Sequence, residues 1–236
     1  IFFRHLFSQC VCHTEAMAHG FIALIASCLT VGLFTSPLKI AQEIRLNKAT
    51  GAYSAIPYLA MALNCFFWSL YGYNLGDNAI IVPNAIGIFV ACLTLSTFKN
   101  NVEQDRQAAV TRQYQIGAAI GAVLLSWAYL IPPYGNSKGR LGLLGAALSI
   151  SMFASPLATI RQVVTEKNSA SLPIPMVIMG TLATIFWSLY GHAIGDMFIL
   201  VPNVLGLTFS LLQLGLAGIY PRRAVTLARP TSIATL

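Results

Sequence analysis

Charged residues are scarce in this chain of 236 residues: Asp, Glu, Lys and Arg make up 9% of it, while hydrophobic residues make up 56%. Soluble domains carry about 25% charged residues, so this sequence lacks the charge needed to cover a water-facing surface. The mean hydropathy of +0.71 agrees with that reading. We therefore expect an integral membrane protein, and the net charge of +7 then gives no reason to expect nucleic-acid binding.

Several functional motifs are missing as well. The sequence contains no phosphate-binding loop, zinc signature or nucleophile–base pair, so we expect neither an enzyme nor a metal or cofactor site. The five cysteines form no disulfide framework, because three of them lie inside apolar segments. Ion- and proton-coupled carriers keep ionisable residues within the membrane as relays, and none lies in the middle of a predicted span here.

An internal duplication is the clearest feature that is present. Residues 67–72 read Phe-Trp-Ser-Leu-Tyr-Gly and recur at 186–191, 119 residues later. Over residues 67–87, 13 of 21 residues are identical to their counterparts in this register. Shared Trp, Asp, Pro and Asn exclude coincidence of apolar composition, so the chain is a repeat protein.

Seven stretches approach the roughly 20 apolar residues that a membrane-spanning helix needs. They are residues 20–40, 56–74, 78–98, 114–133, 141–160, 173–192 and 197–218. We expect a disordered tail over residues 1–19 and a cytoplasmic tail over residues 219–236. The connection at residues 73–77 is only a tight turn.

The basic residues predict an orientation, because cytoplasmic loops are enriched in Lys and Arg. With the N-terminus outside, 11 of the 14 basic residues fall on the inner side. They are Lys39, Arg45, Lys48, Lys99, Arg106, Arg112, Arg161, Lys167, Arg222, Arg223 and Arg229. Only Arg4, Lys138 and Arg140 remain outside. We expect an N-out, C-in protein of the plasma membrane, with a Golgi or vacuolar membrane as the alternative.

The duplication and the span count together predict the fold. The repeats cover residues 20–98 and 139–218, and each has Ser-Pro-Leu in its first helix. Residues 99–138 supply an inner loop and a fourth span without the repeated signature, and that span reverses the chain once more. The fold class predicted is all-α: seven transmembrane helices as two parallel three-helix repeats joined by a linker helix (3+1+3).

These motifs resemble the SWEET (MtN3/saliva) family of sugar transporters. The resemblance rests on Ser-Pro-Leu, a proline opening the next helix, Trp-x-x-Tyr-Gly and Pro-Asn-x-x-Gly, and it extends over residues 20–220. Parallel repeats related by an axis along the membrane normal are described for SWEET proteins. It implies a facilitative, bidirectional uniporter of mono- or disaccharides that works by alternating access. A sugar and the membrane lipid are the implied partners, and homo-oligomerisation stays open.

Asn84 and Asn203 lie mid-span in the third helix of each repeat. A buried amide both donates and accepts hydrogen bonds, which suits a sugar hydroxyl, although it could equally join two helices. The resemblance makes both asparagines pocket residues and makes Trp187 a pocket tryptophan. Trp68 is its counterpart in the first repeat, where an interfacial role is the alternative.

The resemblance assigns two further groups. Pro37, Pro57, Pro156 and Pro173 resemble a tetrad of proline hinges, although Pro57 and Pro173 could only mark helix starts and Pro175 competes with Pro173. An outer gate would pair Tyr71 and Tyr190 with Asp196 and Asp77; helix capping is the other role open to these aspartates.

Two alternatives stay open at this point. A related PQ-loop-type carrier of amino acids or other metabolites would share the repeat, but its Pro-Gln dipeptide is replaced here by Ser-Pro-Leu and Ile-Pro-Tyr. A seven-span receptor would share the N-out topology without needing the duplication.

Overall fold

The computed structural model describes the backbone of residues 2–131 and 136–223 and the side chains of residues 17–131 and 136–223. Within these ranges the chain is helical. The helices are α1 (Phe2–Phe34), α2 (Pro37–Asn47), α3 (Ile56–Leu75), α4 (Asn78–Asn101), α5 (Gln107–Leu130), α6 (Ser137–Ser151), α7 (Ala154–Glu166), α8 (Ile174–Ala193) and α9 (Met197–Ile219). A 3₁₀ turn, Gln104–Arg106, precedes α5.

Seven spans result, because α1 with α2 and α6 with α7 each form one interrupted span. The interruptions fall beside the two Ser-Pro-Leu sequences, where proline lacks an N–H and clashes with the preceding turn. Five stretches are long and apolar enough to cross a membrane on their own: Met17–Asn47, Asn78–Asn101, Ser137–Glu166, Ile174–Ala193 and Met197–Ile219. Helices α3 and α5 complete the seven.

The three spans of each repeat pack in the same order. Helix α4 packs against α3 on one side and against α1 and α2 on the other. Likewise α9 packs against α8 and against α6 and α7. The third span therefore lies between the first two in both repeats.

The repeats meet through two symmetric contacts, α1 with α8 and α3 with α6. Helix α5 packs against α3 and α6 and so bridges them. This arrangement confirms the predicted fold of two parallel three-helix repeats and a linker helix.

The second and third spans of each repeat are joined by the same tight turn. Gly76 and Gly195 have φ of 71° and 68°, a conformation that glycine adopts without strain. Asp77 and Asp196 follow and cap α4 and α9. A Cβ on Gly191 would lie 2.8 Å from the backbone nitrogen of Leu200, so the helices cross too closely there for a side chain.

Three boundaries differ from those predicted. Of the disordered tail predicted for residues 1–19, residues 2–19 are instead the start of α1, since they contain neither proline nor glycine to interrupt it. The linker helix α5 begins at Gln107, earlier than the predicted 114. Of the predicted cytoplasmic tail, residues 224–236, including Arg229, lie outside the described part, as does the side chain of Arg4.

One end of the bundle carries most of the described Lys and Arg, and we call it the basic end. It includes Lys48, Arg106, Lys167 and Arg223, whereas Lys138 and Arg140 lie at the opposite end. We call that opposite end the tyrosine end, after Tyr71 and Tyr190.

A carboxylate ties two loops together at the basic end. Glu103 accepts hydrogen bonds from the Thr50 hydroxyl at 2.5 Å and from the Gly51 amide at 2.8 Å, and it lies 3.5 Å from Arg106. The Thr50 hydrogen bond, backbone amides and Arg106 lower the pKa of Glu103 to about 2. In repeat two a neutral side chain ties the chain together at this end. The amide of Asn168 donates to the backbone carbonyl of Arg223 and accepts from its backbone N–H.

Candidate functional site

A cavity of about 210 Å³ lies where the two repeats meet. It is lined by Thr30, Leu33, Phe34, Asn64, Trp68, Ile80, Asn84, Ser149, Phe153, Gly180, Ala183, Thr184, Trp187, Ile199, Pro202 and Asn203. Both predicted asparagines and both predicted tryptophans are among them. The structure therefore brings the four predicted substrate-binding residues to one place between the repeats.

The two asparagines have the same local geometry. Asn84 Nδ2 donates to the carbonyl of Ile80 at 2.8 Å, and Asn203 Nδ2 donates to the carbonyl of Ile199 at 2.7 Å. Each bond stays within its own helix and uses one of the two amide protons. Each asparagine thus keeps an N–H and its carbonyl oxygen for a ligand.

The proline beside each asparagine frees a backbone carbonyl, because it cannot donate to the carbonyl four residues earlier. For Pro83 that carbonyl belongs to Ala79, and the hydroxyl of Ser27 reaches it at 2.8 Å. For Pro202 the residue in the register of Ser27 is Ala146, which has no hydroxyl. The freed carbonyl therefore has a hydroxyl partner from the first helix in repeat one, whereas the matching position in repeat two offers none.

Each tryptophan reaches across to the other repeat. Trp68 Nε1 donates to Ser149 Oγ at 3.0 Å, and Trp187 Nε1 donates to Thr30 Oγ1 at 2.8 Å. Ser149 and Thr30 are 119 residues apart, so both bonds obey the internal register. These contacts fix the indole rings and leave no interfacial role for Trp68, which is buried.

Thr30, Asn64 and Ser149 were not predicted as site residues. Ser149 Oγ donates to Asn64 Oδ1 at 3.0 Å, so Trp68, Ser149 and Asn64 form a chain of hydrogen bonds. The residue in the register of Asn64 is Ala183, which makes the cavity more polar on the side of repeat one. Comparing the repeats outside residues 67–87 would have identified Thr30 and Ser149 as a pair, although not their partners.

At the tyrosine end, two hydrogen bonds close the space above the cavity. Tyr71 Oη donates to Asp196 Oδ2 and Tyr190 Oη donates to Asp77 Oδ2, each at 2.5 Å. The other oxygen of each carboxylate accepts from the first turn of its own helix. The two roles weighed for these aspartates, cross-repeat pairing and capping, are therefore both present.

The prolines predicted as hinges lie toward the basic end. Pro37 opens α2 and is buried, and Pro156 lies in the first turn of α7. Pro57 is the second residue of α3, whereas Pro173 caps α8 and Pro175 is its second residue. By position in the helix, Pro175 rather than Pro173 is the counterpart of Pro57.

The cavity offers hydrogen-bonding groups and aromatic faces without charge. Every described residue that lines it is uncharged. Amides and hydroxyls match the donors and acceptors of a neutral hydroxylated molecule, and indole faces match its C–H surfaces. The arrangement suits a neutral, polar solute of modest size.

Fold and cavity together define an integral membrane protein with a solute-sized site between two parallel three-helix repeats. Comparison with known proteins then gives the family. The profile described as "Sugar efflux transporter for intercellular exchange" matches residues 20–101 and 139–224. The chain therefore belongs to this family, the SWEET (MtN3/saliva) family that its motifs resemble.

Several relatives match along most of their length. The sugar transporter SWEET1 of Drosophila pseudoobscura pseudoobscura is 32% identical, over 89% of this chain and 93% of its own. The bidirectional sugar transporter SWEET7b of Oryza sativa subsp. indica is 30% identical, over 87% and 79%. The structure of a eukaryotic SWEET transporter shares the fold, with a TM-score of 0.80 at 24% identity, covering 88% of this chain and 98% of that one.

Proposed function

We propose that this protein is a facilitative sugar transporter that moves its substrate in both directions by alternating access. The central observation is the uncharged cavity between the repeats, with two asparagines and two tryptophans in one register. Family membership and the relatives' names support sugar as the substrate class. The sugar gradient alone would set the direction of transport.

In this proposal the sugar binds between Asn84 and Asn203, with Trp187 and Trp68 against its ring. The cavity has a volume of about 210 Å³. A monosaccharide suits that space better than a disaccharide of twice the size. We therefore expect hexose to be carried faster than sucrose.

The proposed cycle alternates between the two ends of the bundle. The proposed outer gate consists of the hydrogen bonds from Tyr71 to Asp196 and from Tyr190 to Asp77, and their presence supports a state with access from the basic end. The breaks beside Pro37 and Pro156, with Pro57 and Pro173 or Pro175 nearby, would allow the repeats to rock. The positive-inside rule supports a cytoplasmic basic end, and we propose the plasma membrane as the location.

Uptake by proteoliposomes tests the proposal. We expect the wild type to take up radiolabelled glucose faster than sucrose, with no dependence on an imposed pH gradient. Asn203→Ala should lower glucose flux about tenfold, because two hydrogen bonds to sugar are lost. Asn101→Ala is a matched control, since Asn101 makes the same bond within α4 but does not line the cavity.

Each result bears on one part of the proposal. Absence of glucose and sucrose flux in the wild type would overturn sugar transport. Flux that requires a proton gradient would overturn the uniport mechanism. Equal flux in Asn203→Ala and Asn101→Ala would overturn the assignment of the cavity.

A further inference from the structure

A second cavity, of about 290 Å³, lies in repeat two toward the basic end, between α7, α8 and α9. Its lining includes Ser155, Thr159, Phe209, Ser210 and Gln213. Phe153, Gly180 and Thr184 line both this cavity and the central one. The two spaces are therefore neighbours separated by shared walls.

At the corresponding positions of repeat one, the described side chains pack into a buried cluster. Met61, Cys65, Val90 and Ala91 form a buried cluster there, packed against Phe34. Their counterparts 119 residues later are Gly180, Thr184, Phe209 and Ser210. Exchange of Met61 for Gly180 removes the largest of these side chains, and nothing lies within 4 Å of a Cβ built on Gly180.

Gln213 faces this cavity with an amide side chain. Its side chain is only 8% exposed, and its amide makes no hydrogen bond to any described protein group. Its counterpart in repeat one is Thr94, which is fully buried and satisfied by the carbonyl of Val90. The amide of Gln213 therefore has both its donor and its acceptor capacity available to a ligand in the cavity.

The other polar groups around the cavity can accept hydrogen bonds. Thr159, Ser210 and Thr184 donate their protons to carbonyls of their own helices, which leaves oxygen lone pairs available. Phe153 and Phe209, with ring centroids 5.3 Å apart, add an apolar surface. No charged residue is among the described residues of the lining.

We propose that this cavity is a second sugar subsite, built by repeat two and placed between the central site and the basic end. The proposal rests on the proposed function, since the cavity would be a second binding site for the transported sugar along its path. Gln213 would donate to and accept from sugar hydroxyls. A lipid acyl chain would fit the space but would leave that amide unsatisfied.

Protection of an introduced cysteine tests occupancy. In full-length protein with the native cysteines replaced, Ser210→Cys is treated with a small thiol reagent in the presence and absence of glucose. We expect glucose to slow its modification several-fold, in the Asn203→Ala background as well. Ala91→Cys, the matched position in repeat one, should stay unmodified because Ala91 is fully buried.

Two outcomes would overturn the subsite. One is modification of Ser210→Cys at the same rate with and without glucose. The other is protection that disappears with Asn203→Ala, which would place the effect at the central site. Both outcomes are read without a flux measurement, so a wild type that carries no sugar would overturn the proposed function and leave this test standing.

Transport from each side gives a second readout. Gln213→Met keeps the size of the side chain and removes its amide. In sealed vesicles of both orientations, we expect the half-saturating glucose concentration for entry at the basic end to rise about fivefold, as for one lost hydrogen bond. Entry at the tyrosine end should keep its wild-type value. Equal changes at both ends, or none at either, would contradict a one-sided subsite.

Discussion

Each aspartate at the tyrosine end divides its two carboxylate oxygens between different tasks. Asp196 Oδ1 caps α9 through the amide of Phe198 at 2.9 Å, while Oδ2 receives the Tyr71 hydroxyl at 2.5 Å. One residue therefore both caps a helix of its own repeat and contacts the other repeat. Substitution by asparagine separates the two tasks, because asparagine also caps helices well.

A double-mutant cycle measures the contact between the repeats. We expect Tyr71→Phe and Asp196→Asn each to lower the unfolding temperature in detergent. Their coupling energy should be about 1 kcal/mol, in the range measured for hydrogen bonds inside membrane proteins. Tyr73→Phe is the control, since Tyr73 is on the same helix but 77% exposed. Strictly additive effects of the two substitutions would contradict the contact.

Residue types explain which parts of the site could be predicted. Asn84, Asn203, Trp68 and Trp187 are rare residue types for a membrane helix, and their repetition marked them as candidates. The sequence did not indicate Thr30, Ser149 and Asn64, because a hydroxyl or amide in a helix often hydrogen-bonds only to the backbone of that helix. Their role depends on which helices meet, and that is tertiary information.

A side chain of α1 compensates for the proline break in helix α4. Pro83 leaves the carbonyl of Ala79 without its usual donor, and the hydroxyl of Ser27 on α1 lies 2.8 Å from that carbonyl. The same hydroxyl also lies 2.8 Å from the carbonyl of Ala23. The defect in one helix thus stabilises its packing against another.

The repair predicts an interaction between two substitutions. Ser27→Ala alone should destabilise the protein by about 0.6 kcal/mol, the average for such bonds in membranes. In a Pro83→Ala background, where a backbone amide can reach the Ala79 carbonyl, the same change should have a smaller effect. Chemical unfolding in mixed detergent measures both. An equal effect in the two backgrounds would show that Ser27 does not serve this carbonyl.

The Glu103 contact makes stability depend on pH. Its pKa falls from 4.5 to about 2 in the folded protein, so its contribution is complete above pH 4.5 and is lost as pH falls toward 2. We expect Glu103→Gln to unfold at a lower temperature than wild type at neutral pH, with the gap narrowing below pH 4.5. Glu166→Gln, at the last residue of α7, is the control, since Glu166 accepts its hydrogen bond from Gln162 of its own helix. A gap independent of pH would contradict the role of the carboxylate.

Element boundaries were predictable where the sequence contains a breaker. The spans stop near Gly76 and Gly195 because both glycines adopt positive φ. The interruptions after Phe34 and Ser151 could be expected only as kinks, since proline alone does not specify where the preceding helix ends. The start of α1 was missed because hydropathy marks the membrane part of a helix and not its extension.

At the scale of the molecule, the repeats are joined by two layers of hydrogen bonds that follow one register. The first layer is formed by tyrosines and aspartates, and the second by Trp68 with Ser149 and Trp187 with Thr30. T-shaped ring contacts of 5.6 and 5.8 Å link the layers within each repeat. We expect rocking of the repeats to change both layers together.

In the second layer Ser149 takes part in more hydrogen bonds across the interface than Thr30, and this difference gives a prediction. Ser149→Ala removes two hydrogen bonds, to Trp68 and to Asn64, whereas Thr30→Val removes only the bond to Trp187 across the interface. Ser149→Ala should therefore reduce glucose flux about fivefold more than Thr30→Val, one hydrogen bond's difference. Proteoliposome uptake at matched protein levels measures this. Equal losses in the two variants would contradict the unequal layer.

The parallel arrangement of the repeats followed from sequence, because an odd linker span reverses a three-span unit. Their inequality did not follow from it. Gly180 against Met61 and Gln213 against Thr94 are visible in the register, but only packing shows that the first exchange opens a cavity. The residues that the repeats share explain their symmetry. The residues that differ between them explain the cavity in repeat two.

The placement of each third span between the first two also concerns how the chain is made. Helices α1 and α3 leave the ribosome first, yet α4 is the element that packs against both. We expect the first two spans to remain loosely associated in the bilayer until residue 101 has been inserted. The contact of α1 with α8 must wait longer still, until most of the chain is complete. Biogenesis would then proceed by bundles, with the transport path assembled last.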